Sequence, residues 1–204
     1  MPITTDSVLV GASAQCYGAN SVLDVGTGCG VIALMIAQRN PVARIHAVDI
    51  HAAAVTQAQQ NFNQSPWSNR LTAIKADFLE YATSTPHRYD LIVSNPPYFT
   101  EDTLSPDTNR ANARNATALP LKSLIEGCKR LLTPNGSLCI ITPYSTRNTF
   151  AQIVADTLLH INGCLIVKGT PTVAPSRIIW HISPLQKQMQ FKHLVIELSR
   201  GVYT

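Results

Sequence analysis

Short apolar runs rich in valine and isoleucine alternate with helix-forming stretches along most of this chain, and that alternation constrains its fold more than any other feature. "SVLDVG" (21–26) reads as a first strand and "GVIALMIAQR" (30–39) as the helix after it. "ARIHAVDI" (43–50) then precedes the Ala- and Gln-rich "HAAAVTQAQQNF", and "LTAIKAD" (71–77) and "YDLIVSN" (89–95) supply strands three and four. A helix over "LPLKSLIEGCKRLL", a turn at "TPNG", a fifth strand "SLCIITP" and a helix over "TRNTFAQIVADTLLH" follow. Strands separated by helices of this length form a parallel sheet with crossover connections, so the expectation is an α/β fold with helices on both faces. The tail, "GCLIVKG", "SRIIWHIS" and "FKHLVIELS", reads as closing strands that include a hairpin and an antiparallel strand at the sheet edge. The polar stretch from Thr100 to Thr117 reads as a long loop, a length that in a compact domain usually serves function.

At 204 residues the chain suits one domain, 1–204, with one sizeable core. No apolar run reaches the ~18 to 20 residues of a membrane span, and no secretory signal opens the sequence. Five scattered cysteines without a C-x-x-C pair argue for reduced thiols, and six histidines without paired spacing argue against a metal site. A cytoplasmic protein, without membrane or metal partners, is expected, with a monomer favoured. Charge is unevenly divided. Residues 1–109 hold 5 Lys/Arg against 9 Asp/Glu, a net −4, whereas residues 110–204 hold 11 against 3, a net +8. The basic half points towards a polyanionic partner or a solvated surface.

The glycine-rich turn "LDVGTGCGV" sets Asp24, Gly26, Gly28 and Gly30 between the first strand and its helix. Glycines there let the backbone turn tightly and approach a ligand beyond the carboxyl ends of the strands. The pattern is G-x-G-x-G with Val31 next, which weakens a dinucleotide reading. Asp49 ends the second strand, where a carboxylate can accept two ribose hydroxyls or cap the following helix. Asp77 ends the third strand, as a ligand or as a turn residue. Three acidic strand ends around a glycine loop resemble the class I S-adenosylmethionine methyltransferases, a Rossmann-like fold. The resemblance implies that the loop passes under the cofactor, that Asp49 holds its ribose and that Asp77 holds its adenine amino group, with Ile50 and Phe78 beside them.

"SNPPYF" (94–99) follows the fourth strand. Chance would place "NPPY" in about one chain in a thousand of this length. Two prolines cannot continue a sheet ladder, but they lock a turn. An exocyclic amine conjugated to a ring is a poor nucleophile. Two acceptors on its N–H bonds, the Asn95 side-chain oxygen and the Pro96 carbonyl held by Pro97, can free its lone pair for in-line transfer. Tyr98 and Phe99 are placed to stack on an extruded base. This chemistry suits N6 of adenine, a glutamine amide or N2 of guanine alike.

"TTDSVLVGA", "NFNQSPWSNRL", "SNPPYF" and "RANARNAT" together resemble the bacterial adenine-N6 methyltransferases that modify nucleotide thirty-seven of a valine tRNA. That resemblance implies S-adenosylmethionine as cofactor and a tRNA as partner. It further implies that Thr5 and Asp6 line the cofactor pocket and that Arg110 and Arg114 contact the RNA. The family carries a short segment before the first of these stretches and a helix after the last strand, both departures here. A release-factor glutamine methyltransferase shares NPPY but has a helical domain in front, and DNA and rRNA methyltransferases are further alternatives. A nicotinamide oxidoreductase or a non-catalytic cofactor-binding module explains the glycine loop and not the proline turn.

Overall fold

A computed structural model describes residues 2–97, 120–199 and 201–204. In chain order its helices are α1 (Thr5–Ser13), α2 (Val31–Arg39), α3 (Ala52–Asn63), α4 (Phe78–Ser84), α5 (Leu121–Leu131) and α6 (Arg147–Asp156). Its strands are β1 (Ser21–Val25), β2 (Arg44–Asp49), β3 (Leu71–Lys75), β4 (Tyr89–Ser94), β5 (Leu132–Pro143), β6 (His160–Lys168), β7 (Arg177–Ser183) and β8 (Gln190–Val195). These form one eight-stranded sheet in the order β3-β2-β1-β4-β5-β7-β6-β8. A small antiparallel pair, β9 (Glu197–Ser199) and β10 (Val202–Tyr203), follows. The first five strands run parallel, as expected from the alternation. The expected antiparallel strand is β7, which pairs antiparallel with both β5 and β6, while β6 and β8 lie outside it and run parallel to each other.

Side chains of successive strand residues point to opposite faces, and in a parallel sheet both faces are covered. Val22, Ile45, Leu91 and Ile141 therefore enter one core with Val10 of α1, Ile36 of α2 and Phe62 of α3. Their neighbours Leu23, Val48, Ile92 and Ile140 enter the other, with Phe78 of α4, Leu124 and Ile125 of α5 and Phe150 of α6. All five cysteines are buried and unpaired within these layers. Among the described residues no helix is long and apolar enough to cross a membrane, and no three metal-ligating side chains converge.

Three local features depart from the sequence expectation. "TPNG" lies inside β5 rather than before it: Tyr89 pairs with Leu132 and Leu91 with Ser137, so the turn residues bulge out of a continuous strand. Helix α1 begins with a reciprocal cap, in which Ser7 N–H donates to Thr4 Oγ1 (3.2 Å) and Thr4 N–H to Ser7 Oγ (3.1 Å). Helix α4 begins at Asp77, whose Oδ1 accepts from the amides of Leu79 (2.7 Å) and Glu80 (3.2 Å).

Candidate active site

Strand order reverses between β1 and β4: the chain leaves β1 towards β2 on one side, and β4 returns on the other. Open α/β sheets bind ligands outside the carboxyl ends of the strands at such a switch point. The glycine loop leaves β1 there, and Asn95-Pro96-Pro97 leaves β4. Register places Val25 opposite Ser94, and the buried Ser94 Oγ donates to the Val25 carbonyl at 2.9 Å. The two turns thus depart at one level from adjoining strands, about 5 Å apart. Asn95 and Pro96 are half-buried and Pro97 is exposed.

The glycine loop is held from below by β2. The amides of Gly26 and Thr27 both donate to the Val48 carbonyl, at 2.9 and 3.1 Å. Asp49, almost fully buried, accepts from the Gly28 amide on Oδ2 (3.0 Å) and from the His51 amide on Oδ1 (2.9 Å). Its carboxylate is therefore fixed in orientation, and each oxygen keeps a second lone pair for a hydroxyl donor. It does not cap α3, whose N-cap is His51. The loop glycines divide by role. Gly26 is exposed, has a φ of +72°, and a Cβ there would meet open space. Gly30, with a φ of +84°, is packed instead: a Cβ would sit 2.5 Å from the Phe62 ring of α3. The first glycine opens the loop to a ligand, and the last lets α3 close on α2.

Asp24 has no exposed surface. Its Oδ2 accepts from Thr27 Oγ1 at 2.6 Å, and its Oδ1 has no hydrogen-bond partner. Desolvation pushes the carboxyl up to about 7; the Thr27 hydroxyl and, from outside hydrogen-bond geometry, the Ala33 amide oppose that rise, and the nearby Asp49 charge adds to it. Sequence reasoning missed Thr27, although a threonine between the two glycines, three residues after Asp24, is the signal that could have found it.

The remaining predicted residues are distributed as follows. Asp77 lies half-buried at the end of β3 with Oδ1 committed to the α4 amides, which is the turn role. Ile50 is exposed beside Asp49 at 44%. Phe78 is buried in the core, its ring filling the space where a Cβ on Gly127 of α5 would sit. Thr5 is exposed in the first turn of α1. Asp6 in the same turn takes an ion pair, 2.8 Å from Oδ2 to Arg177 Nε, which fastens α1 to the start of β7. Tyr98, Phe99, Arg110, Arg114 and the predicted loop from Thr100 to Thr117 lie outside the described residues.

Residues 7–158 match the family model "Methyltransferase small domain". A protein of Aliivibrio fischeri named tRNA1(Val) (adenine(37)-N6)-methyltransferase is 37% identical over 201 residues, covering 98% of this chain and 85% of its own length. Proteins of the same name from Parabacteroides distasonis and Christiangramia forsetii are 37% and 39% identical, each over 100% of this chain and 86% of their own length. Among solved structures, one described as a predicted O-methyltransferase from Agrobacterium tumefaciens superposes with a TM-score of 0.74 at 15% identity, covering 98% of this chain and 92% of that one. TrmN from Thermus thermophilus superposes with a TM-score of 0.62 at 17% identity, over 88% of this chain and 48% of that one. These two share the fold. By sequence, the chain belongs to the methyltransferase small domain family, alongside relatives that carry the name tRNA1(Val) (adenine(37)-N6)-methyltransferase.

Proposed function

We propose that this protein transfers a methyl group from S-adenosylmethionine to N6 of adenine 37 in a valine tRNA. The observation that carries the reading is the shared level of two turns: Asn95-Pro96 leaves β4 beside the glycine loop leaving β1, tied by Ser94 and Val25. The names of relatives at 37–39% identity supply the substrate.

The residues around the loop fit the cofactor. Gly26 offers an open backbone, Asp49 a carboxylate already oriented for a ribose diol, and Asp24 an unpartnered buried oxygen beneath the loop. Asp77 keeps Oδ2 for an adenine amino group while Oδ1 holds α4. When bound, S-adenosylmethionine supplies an electrophilic methyl on a sulfonium, whose departure as a neutral thioether needs no acid. The protein's own work is on the other reactant. Asn95 and the Pro96 carbonyl accept the two N–H bonds of the target amine and draw its lone pair out of the ring, while the prolines keep those acceptors from rotating away. Tyr98 and Phe99 stack on the presented base, and Arg110 and Arg114 meet the RNA backbone. The amine nitrogen becomes positive as the bond forms, and its proton then passes to water.

Two measurements test this. Incubation with labelled S-adenosylmethionine and, separately, unmodified tRNA, release factor and duplex DNA should label tRNA at one N6-methyladenosine. Label on either of the others and none on tRNA would overturn the reading. Asn95→Ala should lower transfer at least ~100-fold with cofactor affinity unchanged; a matching loss of cofactor affinity would move Asn95 out of the catalytic role.

A further inference from the structure

The turn after β5 carries a fixed cation that the methyl-transfer chemistry does not use. Ser94 pairs with Ile140, and β5 then continues through Ile141–Pro143, past the level at which β4 gives way to Asn95. At its end the chain makes a single 3-10 turn, Tyr144–Thr146, and enters α6 at Arg147. This turn therefore stands on the same edge as the glycine loop and Asn95, one strand beyond β4.

Tyr144 is anchored. Its amide donates to the Ser176 carbonyl at 3.1 Å, and its ring packs against the core beneath α5 and α6. The Arg147 guanidinium lies over that ring, 4.5 Å from its centroid, and its Nη1 donates to the Tyr144 carbonyl at 3.3 Å. Stacking of a cation on an aromatic face fixes its plane without neutralising its charge. No carboxylate does so either: among the described residues the one ion pair is Asp6 with Arg177. Two other arginines, by contrast, are spent on the backbone. Arg70 donates to the carbonyls of Ala37, Asn40 and Ala43, and Arg39 to that of Gly11. Nor does Arg147 serve its helix, because a cation in the first turn opposes the helix dipole. It also lies in the basic half of the sequence, residues 110–204 with a net +8.

We propose that Arg147, held over Tyr144, is a phosphate-binding position for the RNA strand whose adenine reaches Asn95. The inference rests on the tRNA reading and deepens it. A guanidinium has five N–H donors, and the bond to the Tyr144 carbonyl uses one, which leaves enough for a two-pronged contact with non-bridging phosphate oxygens. Such a contact positions the strand and reads no sequence. Arg147 is thus a positioning residue for substrate.

The test is tRNA binding by fluorescence anisotropy at several salt concentrations, with cofactor affinity measured alongside by calorimetry. Arg147→Ala should weaken tRNA binding about fivefold or more at low salt. It should also flatten the slope of log affinity against log salt by roughly 0.7 to 0.9, the share of one phosphate contact. KM for tRNA should rise more than kcat falls, and cofactor affinity should hold. Arg147→Lys should keep the salt slope while losing part of the affinity, and Tyr144→Leu should fall between parent and Arg147→Ala. An unchanged slope in Arg147→Ala, or an equal loss of cofactor affinity, overturns the proposal. Salt-dependent tRNA binding without methylation would sink the assigned function and still score Arg147 by its slope; no salt-dependent binding of tRNA by the parent chain would overturn both.

Discussion

After β1 the chain turns inward with its charge: Asp24 is sealed from water, Asp49 is held by two amides, and the loop amides are bonded to β2. After β5 it turns outward: Tyr144 and Arg147 are anchored on one side, and the guanidinium meets no carboxylate among the described residues. Both turns leave the same edge of the same sheet. The first is built like a core, with polar groups satisfied or desolvated, which suits a small ligand held in one orientation. The second is built like an interface, where a fixed charge waits for a partner that carries the opposite one. Preorganisation is achieved by hydrogen bonds in one region and by aromatic stacking in the other.

The contrast predicts where substitutions act on stability. Asp24→Asn has the largest expected effect. With its folded pKa raised to about 7 from 3.8, Asp24 binds its proton more tightly in the folded chain than in the unfolded one. Stability is therefore lost as pH rises between those two values, by about 4 kcal/mol at the upper end if each unit counts 1.36 kcal/mol. The asparagine variant should lack that loss, so its unfolding free energy, followed by denaturant titration from pH 4 to 8, should diverge upward from the parent's. Parallel curves would mean that the β1 turn is no more sealed than the β5 turn. Gly30→Ala should come next, because a Cβ meets the Phe62 ring at 2.5 Å on a left-handed backbone. A loss of about 3 kcal/mol is expected, read as a fall in Tm. Loss of cofactor affinity with Tm intact would instead give Gly30 a ligand-facing role like that of Gly26. The smallest effect belongs to Asp6→Asn, which breaks a partly exposed ion pair with Arg177 and should cost under about 1 kcal/mol in a thermal melt. A larger cost would show that the outward-facing region leans on its charges as firmly as the inward-facing one.

Much of the frame was legible because it rests on local signals. The β1–β5 alternation, the glycine turn and the proline stop after β4 each follow from period, propensity and the missing proline N–H. Helices α1 and α4 carry no such local signal, for a related reason. The caps of α1 and α4 are Thr4 with Ser7 and Asp77, residues that read equally well as loop or ligand until their partners are placed. Phe78 follows Asp77 along the chain, but the group its ring packs against, Gly127, lies far away in sequence.

By itself, then, the sequence determined which segments extend, which coil and which acidic residues end strands, since these depend on neighbours along the chain. Only the tertiary structure decided that β7 inserts between β5 and β6, that Asp24 is sealed while Gly26 stays open, and that Arg147 has a tyrosine and, among the described residues, no carboxylate beside it. Pairing, desolvation and the company a charge keeps are set by groups distant in sequence, and they come into being only when the sheet and its two helical layers close.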